Sequence, residues 1–235
     1  MSNLKYRHEL KYLISRGEQA ALLPRLDEIL SRDAHAVDGQ YFIRSLYFDD
    51  FWQNARAEKM AGTNERKKYR IRIYNLSDEI IRLECKRKKG QYINKISAPL
   101  TREEADRMQM GDYTFMAHRP EHVCQDFFAD HMLSPMRPLV VVDYDRIPFV
   151  YPYGDVRITF DMDIRAGVFH NDLFDPAMPV AYVQEPGQLI LEVKFTEYLP
   201  DVVRELLQLD SCIYTAASKY IMCLDKRNEW KIKSL

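Results

Sequence analysis

The chain has 235 residues, 46% of them apolar and 29% charged, with 34 Lys and Arg against 35 Asp and Glu and a net charge of −1. This balance is that of a folded protein and excludes both a disordered chain and a globally basic coat for nucleic acid, so no DNA partner is expected. No apolar run reaches the roughly 18 residues of a membrane span, and the opening MSNLKYRHELKYL lacks the apolar core of a signal peptide; a cytoplasmic protein with no transmembrane segment is expected, organised as one domain over 1–235.

Taken in chain order, alternating apolar and polar side chains bounded by turn residues predict eight strands, at about 5–13, 41–49, 66–74, 80–88, 91–98, 139–146, 155–163 and 188–196. Asn75 to Asp78 and Lys89-Gly90 mark tight hairpins, so the sheet should be largely antiparallel. Ser15 with Glu18 and Thr101 with Glu104 are capping boxes; the first opens an apolar run through Leu22, Leu26 and Leu30 that Pro24 should kink, and the second helix should end near Gly111. Pro120 and Pro200 suit first-turn positions of two more helices. A last helix at about 214–228 offers Ala217, Tyr220, Ile221 and Leu224 for packing, with Lys219 among them. The stretch from Val168 to Gly187, with Pro176, Pro179 and Pro186, should be the least structured. The expected fold is α+β, an eight-stranded closed antiparallel β-barrel with flanking helices.

The four cysteines have neither zinc-ribbon nor C-x-x-C spacing and read as reduced packing residues. The two closest of the eight glycines, Gly154 and Gly167, are thirteen positions apart, which excludes both glycine-rich phosphate-binding loops; any phosphate must be held by side chains. His118 and His122 are four apart, with His131 further on, but Arg119-Pro120 between them argues against a zinc site, and no Ser/His/Asp or Cys/His arrangement can be read.

Charge is unevenly spread. Residues 56–95 hold thirteen Lys or Arg and five Asp or Glu, which leaves the rest of the chain acidic. Strand alternation places these charges on one face: Arg70 and Arg72 oppose Ile71 and Ile73; Arg82, Glu84 and Lys86 oppose Leu83 and Cys85; Arg157, Thr159 and Asp161 oppose Ile158 and Phe160; Glu192 and Lys194 oppose Leu191 and Val193; and Arg7, Glu9 and Lys11 alternate with His8, Leu10 and Tyr12. One wet sheet face would explain any single strand. Five strands that repeat Arg-x-Arg and Glu-x-Lys with few neutral polar residues point instead to a barrel with a charged interior. Confining so many cations costs several kcal/mol per ion unless anions or water compensate, so such a bore is an anion binder. Arginine forks together with mobile lysines suit a chain of phosphoryl groups. Glu9, Glu84 and Glu192 are the natural holders of Mg²⁺ or Mn²⁺, although Glu84, between Arg82 and Lys86, reads better as an ion-pair partner.

Glu-Leu-Lys-Tyr at 9–12, Ser-Leu-Tyr-Phe-Asp at 45–49, Tyr-Arg-Ile-Arg at 69–72, Leu-Glu-Cys-Lys at 83–86, Arg-Ile-Thr-Phe-Asp at 157–161, Leu-Glu-Val-Lys-Phe at 191–195 and Ser-Lys-Tyr at 218–220 together resemble the vacuolar transporter chaperone (VTC) domain, of the CYTH-like triphosphate tunnel metalloenzymes. The resemblance spans nearly the whole chain. It implies an eight-stranded tunnel and a polyphosphate polymerase, which transfers the ATP γ-phosphate to orthophosphate or growing polyphosphate with Mn²⁺ or Mg²⁺. By matching motifs it implies Lys11, Arg70, Arg72, Lys86, Arg146, Arg157 and Lys219 as phosphate ligands and Glu192 as metal ligand; Glu9 is the second metal-holding carboxylate from its place on the charged face, and Lys95 joins the phosphate ligands although its strand parity is open. The chain departs from its eukaryotic relatives in having no phosphate-sensing or transmembrane part, so export of product is not expected. Arg7 stands where the thiamine-triphosphatase and adenylate-cyclase branch has a further carboxylate. Two other readings use the same faces: a triphosphatase or polyphosphatase with water as acceptor, and a non-catalytic polyphosphate- or RNA-binding module with Tyr69, Tyr74 and Tyr92 as stacking platforms.

Overall fold

The computed structural model describes residues 7–36, 38–90, 92–208 and 212–233, so the first two positions of the first predicted strand lie outside the described residues. The strands are β1 His8–Ser15, β2 Ser31–Arg32, β3 Tyr41–Asp50, β4 Glu65–Tyr74, β5 Ser77–Lys89, β6 Tyr92–Pro99, β7 Met136–Tyr151, β8 Val156–Gly167, β9 Val180–Tyr182, β10 Gln188–Phe195 and β11 Ile213–Tyr214. The α-helices are α1 Arg16–Ile29, α2 Asn54–Ala61, α3 Arg102–Gln109, α4 His122–Leu133, α5 Asp201–Leu207 and α6 Lys219–Lys233.

All eleven strands join one antiparallel sheet in the order β11-β1-β10-β8-β7-β3-β4-β5-β6, with β2 added on β7 and β9 on β8. This corrects the expected eight-stranded closed barrel. The eight expected strands form the curved wall and three short ones are added, but among the described residues β1 and β6, the pair that would close it, are joined only by the isolated bridge Arg7↔Ile93. The cause is competition for one edge of β1. β11 pairs with Tyr12 and Leu13, and Thr215 N donates to Lys11 O, which leaves only the start of β1 facing β6. The sheet is therefore a tunnel-like wall that is not closed by a ladder.

Local chemistry sets the hairpins. Asn75 and Leu76 both have positive φ, the requirement of a tight turn whose twist matches its strands, and the Asn75 side-chain carbonyl accepts from Phe42 N. Both capping boxes form, and α1 runs continuously across Pro24. Pro120 and Pro200 are not first-turn residues: Pro200 is the N-cap of α5, and Pro120 precedes Glu121, the N-cap of α4. The final helix begins at Lys219, because the start of the expected span is taken by β11. The stretch 168–187 is more ordered than expected. It contains β9, buries Leu173 and Met178 in the core, and is tied to β3 by Arg44, which pairs with Asp143 and donates to Asp175 O.

Three apolar clusters hold the wall. Ile71, Ile73, Leu83 and Cys85 pack outward under α3 and α4, and Ile158, Phe160, Leu191 and Val193 pack outward under α1 and α5. The third cluster is on the inner face, where Tyr220, Ile221, Cys223 and Leu224 of α6 meet Ile43, Val142, Ile164 and Ile190. Asp163, at φ 51°, breaks the alternation of β8, so Met162 faces α1 while Ile164 and Ala166 face α6. In this way α6 occupies part of the concave side, and the remaining concave surface carries the charges. Among the described residues no helix is long and apolar enough to cross a membrane.

Candidate functional site: a cationic bore

The inner face brings together nine cations, Lys11, Lys68, Arg70, Arg72, Lys86, Lys95, Arg146, Lys194 and Lys219, with four carboxylates, Glu9, Glu84, Asp161 and Glu192. On the β4–β5–β6 wall, the buried Glu84 accepts from Arg70 Nε and Nη2 at 2.8 and 2.6 Å and from Lys95 Nζ at 2.7 Å. Arg72, 6% exposed, donates to Tyr144 Oη at 2.9 Å and Ser45 Oγ at 3.3 Å, and Arg70 also donates to Tyr47 Oη at 2.8 Å. On the facing wall of β1, β10, β8 and β7, Arg146 forms a two-pronged pair with Asp161 at 2.6 and 2.8 Å, and Lys219 from α6 reaches the same carboxylate at 2.5 Å. Lys86 crosses from β5 to Glu9 on β1 at 2.7 Å, spanning the side where the sheet is not laddered.

With nine cations against four carboxylates, these pairs neutralise only part of the charge, and burial and the charged neighbours shift the titration of the members. Burial would raise Glu9, and Glu192 adds to that, but Lys86, Lys194 and Lys11 outweigh both and bring it down to about 2. Glu84, Asp161 and Glu192 are likewise held below the usual carboxylate range: burial opposes this, and the arginines and lysines around each overcome it. Two of the buried lysines go the other way. Burial first, then the neighbouring cations led by Lys86, push Lys68 down to about 7, and Lys86 is pushed down to about 8 chiefly by burial, against the pull of Glu9. Lys68 has only Ser218 Oγ at 3.2 Å and the face of Tyr220 as partners among the interactions resolved around it. Burial is the main cause of both shifts, and the surrounding cations add to it.

Each predicted phosphate or metal ligand lies on this face, with three revisions. Glu192 is not an unpaired carboxylate: it is 4% exposed and bonds Lys194 at 2.6 Å, with Arg146 at 3.7 Å and Lys219 at 3.8 Å. Arg157 sits apart from the central cluster, held by Asp33 at 2.5 Å and Tyr41 Oη at 2.8 Å. The parity of Lys95 is settled by its pairing opposite Lys86 and its bond to Glu84. Among the stacking candidates, Tyr69 is buried on the outer face and donates to Asp130, and Tyr74 packs edge-on against Tyr41; only Tyr92 is well exposed. Sequence reasoning passed over Lys68, Asp161 and Lys194 as site residues, although all three share the parity of chosen neighbours. It also missed Tyr47 and Tyr144, whose hydroxyls orient the arginines and which carry no charge signal.

Among the described residues no three His, Cys, Asp or Glu side chains group as a self-contained metal cage. The donors do fit a hard divalent cation that arrives with phosphate, which takes one or two protein carboxylates and fills its remaining positions from ligand and water. Glu9 and Glu192 lie on adjacent strands and repel each other, and Thr159 Oγ1, on the position paired with Glu192, has no hydrogen-bond partner.

A profile of the VTC domain matches residues 6–227. Among solved structures, a candidate adenylyl cyclase from Hippeastrum, described as having a dominant triphosphatase activity, superposes with a TM-score of 0.59 at 12% identity, covering 95% of this chain and 96% of that one. A candidate adenylate cyclase from Bacillus halodurans gives 0.55 at 14% identity, covering 90% and 95%, and one from Vibrio parahaemolyticus gives 0.51 at 11%, covering 93% and 97%. At such identities the likeness carries the fold alone. No curated protein sequence matches the chain.

Proposed function

The chain belongs to the VTC domain family, and from that premise we propose that it is a polyphosphate polymerase-like phosphotransferase, which moves the γ-phosphoryl group of ATP onto orthophosphate or polyphosphate inside the bore. The observation that carries this reading is the excess of cations over carboxylates on the inner face. In this reading Arg70, Arg72, Lys86 and Arg157 clamp the triphosphate, Lys11, Lys95 and Arg146 extend the cationic track, and Lys219 draws the acceptor phosphate into line.

Phosphoryl transfer asks little covalent chemistry of the protein: donor and acceptor must be aligned, developing charge neutralised and water excluded. The bond from the γ-phosphorus to the bridging oxygen breaks, ADP leaves with the electron pair, and an acceptor phosphate oxygen forms the new bond. No general base is needed, since that oxygen is already anionic. Arg72, fixed by Tyr144 and Ser45, and Arg146, fixed by Asp161, present guanidinium groups whose orientation is set before ligand arrives, which limits reorganisation. Lys68 and Lys86 take up protons as the polyanion enters, adding charge where it is required. Glu192 and Glu9 would hold Mn²⁺ or Mg²⁺, which supplies further charge neutralisation on phosphoryl oxygens. Lys194 and Lys86, their present partners, would turn to phosphate.

The test is incubation of the pure protein with ATP, orthophosphate and Mn²⁺ or Mg²⁺, with products resolved on a gel and by phosphate assay. Polymer of increasing length supports the proposal. Orthophosphate alone supports hydrolysis on the same scaffold, the reading that the Hippeastrum fold relative favours. Binding without turnover supports a polyphosphate-binding module.

A further inference from the structure

Outside the bore, α6 and the start of β7 enclose a cavity of about 170 Å³, lined by Gln53 and Leu139 and by three cations, Arg137, Arg227 and Lys231. Arg227 differs from every arginine of the bore. It is 6% exposed, its Nη1 donates to Leu139 O and Asn171 Oδ1, its Nε has no acceptor, and among the described residues no carboxylate pairs with it. Burial pushes its guanidinium down with no acidic neighbour to oppose it, and Lys231 is lowered by burial and then by Arg227 and Arg137. A buried guanidinium with no carboxylate partner is costly unless an anion completes it, and Arg137 and Lys231 line the same cavity.

We propose that Arg227, Arg137 and Lys231 form a second anion site, separate from the bore, that takes a single phosphate group. The volume decides the ligand class. It is well below the about 300–1,000 Å³ of sites for larger organic ligands and matches one tetrahedral anion. The phosphate is supplied either by free orthophosphate or by one unit of a polyphosphate chain. Its position also matters. Arg227 lies on the helix whose first residue, Lys219, serves the bore. Tyr220 of that helix bonds Asp49, which accepts from Ala55 N and Arg56 N at the start of α2, next to Gln53. A phosphate in the cavity braces α6 against β7 and α2. The inference does not depend on the proposed function of the bore.

Neither tryptophan of the chain lines this cavity, so binding is read by calorimetry. Calorimetric titration of the full chain with orthophosphate is expected to give saturable binding. Arg137→Ala/Lys231→Ala should weaken it about tenfold or more, from the loss of charge-assisted hydrogen bonds, and Arg70→Ala/Arg72→Ala should leave it in place. Tripolyphosphate at matched ionic strength, titrated into the Arg70→Ala/Arg72→Ala chain, separates the sources: equal affinity per molecule identifies the free anion, and tighter binding by the longer chain identifies a polymer. Arg227→Met, which removes the unpaired charge, should raise Tm in phosphate-free buffer and abolish the response. A flat titration, a response untouched by the Arg137/Lys231 double substitution, or a response lost only with the bore variant overturns the proposal.

Discussion

Ile71 and Arg72 are adjacent in the chain and equally hidden from solvent, yet they belong to two different materials. Ile71, with no exposed surface, is set among Leu83, Cys85 and the helices outside the sheet. Arg72, 6% exposed, is set among hydroxyls, a second arginine and a carboxylate inside it. The outer face is held together by the removal of apolar surface from water, which needs no partner. The inner face is held in balance by ion pairs whose members each incur a desolvation cost and are therefore sensitive to any anion that enters. One strand thus supplies the fold on one side and the chemistry on the other, and substitutions on the two sides should fail differently.

The largest expected effect is on the outer face. Ile71→Asp buries an unpaired carboxylate and should cost about 4–5 kcal/mol, seen as insoluble expression or a collapse of the cooperative thermal transition. On the inner face Arg70→Met should cost less, about 2–3 kcal/mol, because Glu84 loses one partner but keeps Lys95. Adding Glu84→Met should recover most of that loss in denaturant titrations while triphosphate binding stays weak, since a buried pair is replaceable by apolar side chains for stability and not for anion recognition. A double variant no more stable than the single would show that Glu84 stabilises the fold through Lys95 and Arg72 even without Arg70.

Glu192→Gln separates fold from ligand binding more finely. Removing this charge leaves Lys194, Lys219, Arg146 and Lys11 with less compensation, so thermal stability should fall by about 1–2 kcal/mol in phosphate-free buffer and return on addition of tripolyphosphate. Metal-free triphosphate binding should stay the same or tighten, while metal-dependent turnover is lost.

The smallest effect is on pH. Lys68 and Lys86 titrate near 7 and 8 in the folded chain and near the ordinary lysine value of 10.5 when unfolded. Raising pH from about 7 to 9 deprotonates them only in the folded state. The unfolded chain then binds more protons, and the ligand-free protein should gain stability across that window. Over the same window the bore loses positive charge, so triphosphate affinity should fall several-fold. The two trends run in opposite directions, and parallel pH series of thermal unfolding and tripolyphosphate titration check both.

How much of this was legible in the chain follows from the range of each interaction. Strand alternation is local, so Arg70, Arg72, Glu84, Lys86, Arg157 and Glu192 could all be assigned to one face before the structure. The parity of Lys95 could not, because it is set by register against Lys86. Closure failed as an expectation because it is decided by a two-residue strand, Ile213–Tyr214, which is too short to carry periodicity and competes for the edge of β1. Asp163, at φ 51°, reverses the parity of β8, and no residue pattern announces it. The partners of Glu192 come from β7 and α6 as well as its own strand, and those contacts exist only after folding. Arg227, a single arginine in an amphipathic helix, has no sequence signal at all.

The most direct test of the cationic bore is calorimetric titration of ortho-, pyro- and tripolyphosphate into the metal-free protein at constant ionic strength, compared with Arg72→Met. The wild type is expected to bind more tightly with each added phosphate and to take up protons at pH 8. Arg72→Met, with stability changed by no more than about 1 kcal/mol, should lose about tenfold to a hundredfold in tripolyphosphate affinity. Equal affinity for all three anions, or tripolyphosphate binding indifferent to Arg72→Met, would contradict a bore built to hold a chain of phosphoryl groups.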